Sequence, residues 1–142
     1  MRFDYFGTLH RAKKAYTRLL DPLCRQYALT KNELDVLLFL HNNPAFDRSS
    51  DIVVHRGMTK SHVSLSVANL EHRGYLTRQE DTDDRRAVRL KLTEEALPLV
   101  REGQALQREF FTRMFHGISS EEAALWQQLM ERVCRNIEEM DN

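Results

Sequence analysis

Apolar residues recur at three- and four-residue steps through Leu9, Ala12, Tyr16, Leu19, Leu20, Leu23 and Tyr27. That spacing predicts one helical stripe, from about Thr8 to Gln26. Pro22 lies inside it and is expected to kink or interrupt the helix, because it lacks an N–H and clashes with the preceding turn. Thr30-Lys31-Asn32-Glu33 has the capping-box form and opens a second helix, with Leu34, Leu37, Leu38 and His41 on one face. Asn42-Asn43-Pro44 closes it. A short third helix is expected from about Asp47 to His55, with Ile52 and either Val53 or Val54 inward and Gly57 as its stop. Thr59 then caps a fourth, which turns Val63, Val67 and Leu70 inward and is released at Gly74.

Beyond Gly74 the period changes from helical to two. Tyr75-Leu76-Thr77 starts a strand, and Ala87 to Leu92 returns, with Val88, Leu90 and Leu92 alternating against Arg89 and Lys91. This is the pattern of a half-buried hairpin. Thr93 is expected to cap a long helix reaching about Phe115, bent near Pro98 and broken at His116-Gly117. Ser119-Ser120-Glu121-Glu122 is a second capping box. It opens a last helix whose stripe is Leu125, Trp126, Leu129, Val133 and Ile137. No internal repeat interrupts this order.

The predicted fold is mainly α with a small β-hairpin wing. Helices three and four, joined by about four residues containing Gly57, have helix-turn-helix spacing, and the hairpin that follows them completes a winged helix. Long amphipathic helices remain at both ends, with more apolar surface than so small a central module can bury. Packing of two copies through these terminal helices would cover it. The chain therefore divides into a winged helix-turn-helix lobe at 30–92 and a helical dimerisation region at 1–29 and 93–142. Its 142 residues suit one such domain.

Charge sharpens this picture modestly. Lysines and arginines balance aspartates and glutamates at 21 each, so net charge alone does not suggest nucleic acid. Between Arg48 and Lys91, however, nine basic residues face six acids, and the rest of the chain carries the compensating deficit. No apolar run approaches the roughly 18 residues of a membrane span, and MRFDYFGTLHRAKK lacks the apolar core of a signal peptide. A cytoplasmic protein without membrane partners is expected. Cys24 and Cys134 are too few for a disulfide framework and suit a reducing compartment. Histidines 10, 41, 55, 62, 72 and 116 form no close pair at ligand spacing, so neither metal nor cofactor is expected. Phosphate-binding glycine loops, nucleophile elbows and paired catalytic carboxylates are missing too, which argues against an enzyme.

The chemistry concentrates between Met58 and Thr93. On the fourth helix, Lys60, Ser61, His62, Ser64, Leu65, Ser66 and Asn69 are not required by the core. Several lie at the amino end, where helix-turn-helix proteins bring side chains to base edges. Serine and histidine can hydrogen-bond bases, Lys60 can reach a phosphate or guanine, and Leu65 can touch a thymine methyl or cover the hairpin. The hairpin loop Asp81-Thr82-Asp83-Asp84-Arg85-Arg86 ends in two arginines, the favoured cations for a narrow minor groove. Its three aspartates would repel phosphates. Asp84 resolves part of that conflict if its carboxylate holds an arginine extended in a bidentate pair.

These segments, MTKSHVSLSVANLEHRGYLTR, DTDDRRAVRLKLT and ISSEEAALWQQLMERV, resemble the MarR family of bacterial regulators, the multiple-antibiotic-resistance regulators. The likeness covers nearly the whole chain in element order; Asp84-Arg85-Arg86 before Leu92-Thr93 is its most specific part. It implies an obligate homodimer joined through the first, fifth and sixth helices and bound to a pseudo-palindrome in double-stranded DNA. By position, it makes Lys60, Ser61, His62, Ser64 and Leu65 the major-groove set, Arg86 the wing contact and Asp84 its support. It also implies a repressor released by a small aromatic or phenolic effector. Tyr5, Tyr16, Tyr27, Phe39 and Trp126 are candidates to line an effector pocket, although aromatic residues at helical spacing are more often core. The chain departs from the family at Thr82, where proline is common, and at Pro22 and Pro98. Some relatives sense oxidants through a cysteine early in the first helix; here Cys24 lies near that helix's end and Cys134 on the last helix. Two alternatives stay open: a cysteine-based redox-responsive regulator, and a winged-helix interaction module that does not bind DNA.

Overall fold

A computed structural model of the chain describes residues 3–83 and 87–141. The elements run α1 (Tyr5–Tyr27), α2 (Lys31–Asn42), α3 (Ser49–Asp51) continuing into a π-helical turn (Ile52–Arg56), and α4 (Lys60–His72). They are followed by β1 (Leu76–Glu80), β2 (Val88–Leu92), a 3-10 turn (Glu94–Ala96), α5 (Leu97–Met114) and α6 (Ser120–Met140). This is the expected mainly helical winged helix with a two-stranded antiparallel wing. The chain forms two compact units, Met1–Arg108 and Glu109–Asn142.

In the first unit, α1 starts earlier than its apolar stripe suggested, because the Asp4 side chain caps it by accepting from Gly7 N at 3.2 Å. The helix continues through Pro22, which is exposed, so the Arg18 carbonyl deprived of its partner can turn to water. Ala28, at φ 51°, closes it. The capping box of α2 is complete: Thr30 Oγ1 accepts from Glu33 N at 3.1 Å, and Glu33 Oε1 accepts from Thr30 N at 2.8 Å.

Beyond its cap, α2 departs from the single-face expectation. Leu34, Val36, Leu37, Leu38, Phe39 and Leu40 are all buried, and His41 is only half-buried. The helix is central, touched by α1, α4, β2 and the π turn. It is also approached by α5 at Gly103, where an added Cβ would lie 2.7 Å from Leu38 Cδ2. Even its acid is matched: Asp35 is bound by Lys31 at 2.5 Å and Arg56 at 3.3 Å.

The third helix is shorter than expected. Three α-helical residues give way to a wider turn, in which Ile52 is fully buried, Val53 half-buried and Val54 74% exposed. Gly57, at φ 73°, then reverses the chain in a conformation that other residues adopt only with strain. Only Gly57, Met58 and Thr59 separate the turn from α4.

Leu76 pairs with Leu92 and Glu80 with Val88 in the hairpin. Leu76 and Leu90 enter the core; Val88, at the far end of the strand, is exposed and Leu92 half-buried, so the strand's inward alternation holds only close to the lobe. Thr93 does not cap the following helix with its side chain. Its hydroxyl donates to Gly74 O at 2.6 Å, closing the hairpin's base, and a 3-10 turn intervenes. Pro98 consequently falls in the first turn of α5, where an absent N–H costs nothing, rather than at a bend one turn in.

In the second unit, Gly117 at φ 78° ends the turn after α5, and Ser119 and Glu122 form the expected capping box of α6. Phe115 meets Trp126 edge-on at 5.0 Å between centroids. Leu125, Trp126, Leu129, Val133 and Ile137 all remain exposed along α6. Among the described residues, no helix is long and apolar enough to cross a membrane.

Candidate nucleic-acid interface

Helix α4 is held by its inner face. Thr59 Oγ1 accepts from His62 N at 3.2 Å and starts the helix, while Val63, Val67 and Leu70 enter the core. Ser66 joins them at 4% exposure, which corrects its assignment to the free polar set. It follows Val63 by three positions and precedes Leu70 by four, so the helical period itself turns it inward. Lys60, Ser61, His62, Ser64, Leu65 and Asn69 all face outward. Leu65 is 63% exposed, so it does not cover the hairpin. Five polar side chains and one aliphatic therefore share an exposed surface at and beyond the helix's amino end, near first-turn N–H groups that favour anions.

Asp84, Arg85 and Arg86 lie outside the described residues. The base of their loop is described, and it changes the reading of the acids there. Asp81 is not a solvated loop charge: at 5% exposure it accepts from Arg48 Nη2 at 2.8 Å and contacts Arg89 Nε at 3.2 Å. Its Oδ1 also accepts from Asp83 N at 3.1 Å. That backbone hydrogen bond, then the neighbouring guanidinium groups of Arg89 and Arg48, hold the carboxyl below the usual carboxylate value against the opposing effect of burial. Arg89 is shared with Asp47, at 3.0 Å.

Sequence spacing did not reveal this four-residue cluster. Alternation marked Arg89 as an outward strand position, but nothing local pairs it with residues 42 and 8 positions away. Arg73 is likewise internal in its role: its guanidinium donates to Ala28 O at 2.7 Å and Tyr27 O at 2.5 Å, closing the end of α1, and lies over the Tyr75 ring. With Arg56 on Asp35 and Arg78 on Glu71, at least five of the nine cations in this segment make protein contacts.

The candidate effector aromatics have separate surroundings. Phe39 is core, Tyr16 accepts from Gln107 Nε2 at 2.9 Å, and Tyr27 donates to Glu102 at 2.7 Å. Tyr5 packs edge-on against Phe6, and Trp126 against Phe115. Cys24 is buried, and loss of hydration pushes its thiol up, away from the thiolate form that reactivity requires. Cys134 is exposed. No group of three or more metal-ligating side chains forms among the described residues.

Residues 29–87, from the start of α2 through the wing loop, match the model of the MarR family. That match covers the winged-helix segment, less than half of the chain, which is similar to the MarR family there. The likeness to solved MarR-type structures extends over nearly the full chain. The structure of transcriptional regulator PA3341 is 27% identical with a TM-score of 0.82, and the alignment covers 95% of this chain and 99% of that one. A MarR-family transcriptional regulator from Silicibacter pomeroyi is 20% identical at TM-score 0.81, over 94% and 90% of the two chains. MarR from E. coli in its apo form is 16% identical at TM-score 0.69, over 94% and 98%. These last two likenesses establish the fold. PA3341 and the Silicibacter pomeroyi protein are both transcriptional regulators.

Proposed function

We propose that this protein is a cytoplasmic, sequence-specific DNA-binding transcriptional regulator that acts as a homodimer on a pseudo-palindromic operator. In this reading it is a repressor released by a small aromatic or phenolic effector. Residues 30–92 form the DNA-binding lobe, and 1–29 with 93–142 the dimerisation region. Lys60, Ser61, His62, Ser64, Leu65 and Asn69 enter the major groove; Arg85 and Arg86 serve the wing, with Asp84 supporting Arg86.

The observation that carries the proposal is the outward face of α4. Its polar side chains are free of core duties, while Val63, Ser66, Val67 and Leu70 fix the helix from behind. The deciding experiment is retardation of DNA from the promoter of its own or a neighbouring gene, titrated against salt. Affinity should fall steeply as salt rises, because phosphate contacts release condensed counterions. Arg86→Ala should weaken this binding and leave the oligomeric state unchanged.

The second reading, an interaction module without DNA binding, is favoured by the zero net charge and by the internal engagement of Arg48, Arg73 and Arg89. It predicts no specific retardation at any salt concentration, so the same titration separates the two.

A further inference from the structure

The wing is attached to the helix-turn-helix through a charge cluster that is separate from the residues proposed to touch DNA. Arg48 stands at the start of α3, where its backbone N–H donates to Asp51 Oδ2 at 3.0 Å. Its guanidinium reaches across to Asp81 at the end of β1, and Asp81 also contacts Arg89 on β2. Arg89 returns to Asp47, next to Arg48 in sequence, and the Asp47 carbonyl accepts from Leu90 N at 2.7 Å. The loop before α3 therefore lies along β2 as a short extra backbone partner, closed on its open side by alternating charges.

Asp81 is the member common to all parts of this arrangement. One carboxylate joins the start of α3, the strand β2 and, through Asp83 N, the first turn of the wing loop; its own N–H donates to Ala87 O at 3.1 Å across the hairpin. We propose that Asp81 is the wing's positioning residue, locking the hairpin to α3 through Arg48 and Arg89 so that wing and recognition helix meet DNA as one preorganised body. The proposal rests on the DNA-binding reading above. It gives one of the three loop aspartates expected to repel phosphates a role in DNA binding. Asp81 touches no DNA; it removes the freedom that the wing would otherwise lose on docking.

Asp81→Asn keeps the shape and an acceptor for Asp83 N but deletes the charge. Arg48→Met removes only the α3 anchor. An operator is first selected from random-sequence duplexes with the wild-type protein. Both variants are then compared with wild type by dimethyl sulfate protection, which reads guanine N7 in the major groove, and by hydroxyl-radical protection, which reads sugars along the minor groove. Affinity should fall about tenfold in either variant, the scale of a lost preorganisation, and the double variant should be no worse than the single ones. At saturating protein, central major-groove protection should persist while flanking hydroxyl-radical protection fades. Unchanged flanks, or loss of both zones in equal measure, would overturn the proposal.

Amide exchange of the free protein supplies a readout independent of DNA. In both variants the amides of Leu90 and of residue 81 should exchange at least about tenfold faster, after correction for intrinsic rates, while Leu37 in α2 stays protected. If wild type protects no sequence, the DNA-binding reading fails and exchange alone decides whether Asp81 fixes the wing. Unaltered exchange at Leu90 would reject the positioning role whatever the footprints show.

Discussion

Leu65 and Ser66 are neighbours on α4 with inverted roles: the leucine is exposed and the serine buried. Polarity alone reads both wrongly; position in the helical turn reads both correctly, because 66 falls between the inward positions 63 and 70. An aliphatic side chain presented with Ser61, His62 and Ser64 has one natural partner in a major groove, the thymine methyl. Replacing thymine by deoxyuridine, one operator position at a time, should cost the wild type about 0.8 kcal/mol at one position per half-site, the value of one buried methyl-sized group. Leu65→Ala should lose that dependence. A deoxyuridine scan that is flat for the wild type would exclude the contact. Asp81 shows the same contrast between residue type and role, and its carboxyl carries a pH consequence. Its value in the folded chain is depressed, so the stabilisation it gives is fully present above the unfolded carboxylate value near pH 4 and is lost as pH falls through the lower folded value. Leu90 amide exchange, corrected for its intrinsic pH dependence, should therefore be constant from pH 6 to 8. A transition within that window would assign the anchor to a different group.

At the scale of elements, the reading from sequence succeeded where one local signal fixed the answer. The capping boxes at Thr30 and Ser119, the glycine stops at Gly57 and Gly117, and the hairpin's return strand β2 each rest on neighbours within a few positions. It failed where the answer lay in tertiary surroundings. Helix α2 was given one apolar face because its period was read alone, yet neighbours on several sides bury Val36, Phe39 and Leu40 as well. Thr93 resembled a helix cap, but the Gly74 carbonyl, nineteen residues earlier, takes its hydroxyl. The approach of α5 to α2 at Gly103 was equally invisible, since a glycine inside a helix looks only like a weak point. Gly103→Val should cost about 1–3 kcal/mol in urea denaturation by forcing Leu38 out of its packed position. If the variant is as stable as wild type, the two helices do not meet as closely as the structure places them.

For the molecule as a whole, the winged-helix order was legible because it is written in succession: short helix, three-residue turn, helix, hairpin. The cluster of Asp47, Arg48, Asp81 and Arg89 was not, since its members come from two distant segments and become partners only once the chain has folded. What covers the terminal helices is a question at this same scale. Single exposed apolar residues are ordinary on a protein surface, but Leu125, Trp126, Leu129, Val133 and Ile137 recur along one helix, and Phe3, Phe6 and Leu9 are uncovered near the start of the chain. A second copy is the partner proposed above. Folding and association should then be coupled, so the thermal midpoint of the wild type should rise as protein concentration is raised. Leu129→Glu places a charge in the middle of the α6 stripe and should yield a monomer by sedimentation equilibrium, with a lower midpoint that no longer depends on concentration. On DNA the two half-sites would then be bound independently, so the variant's affinity for a full operator should fall to that for an isolated half-site. A Leu129→Glu protein that stays dimeric, or that binds the full operator as tightly as wild type, would place the interface elsewhere and leave the α6 stripe to a different partner.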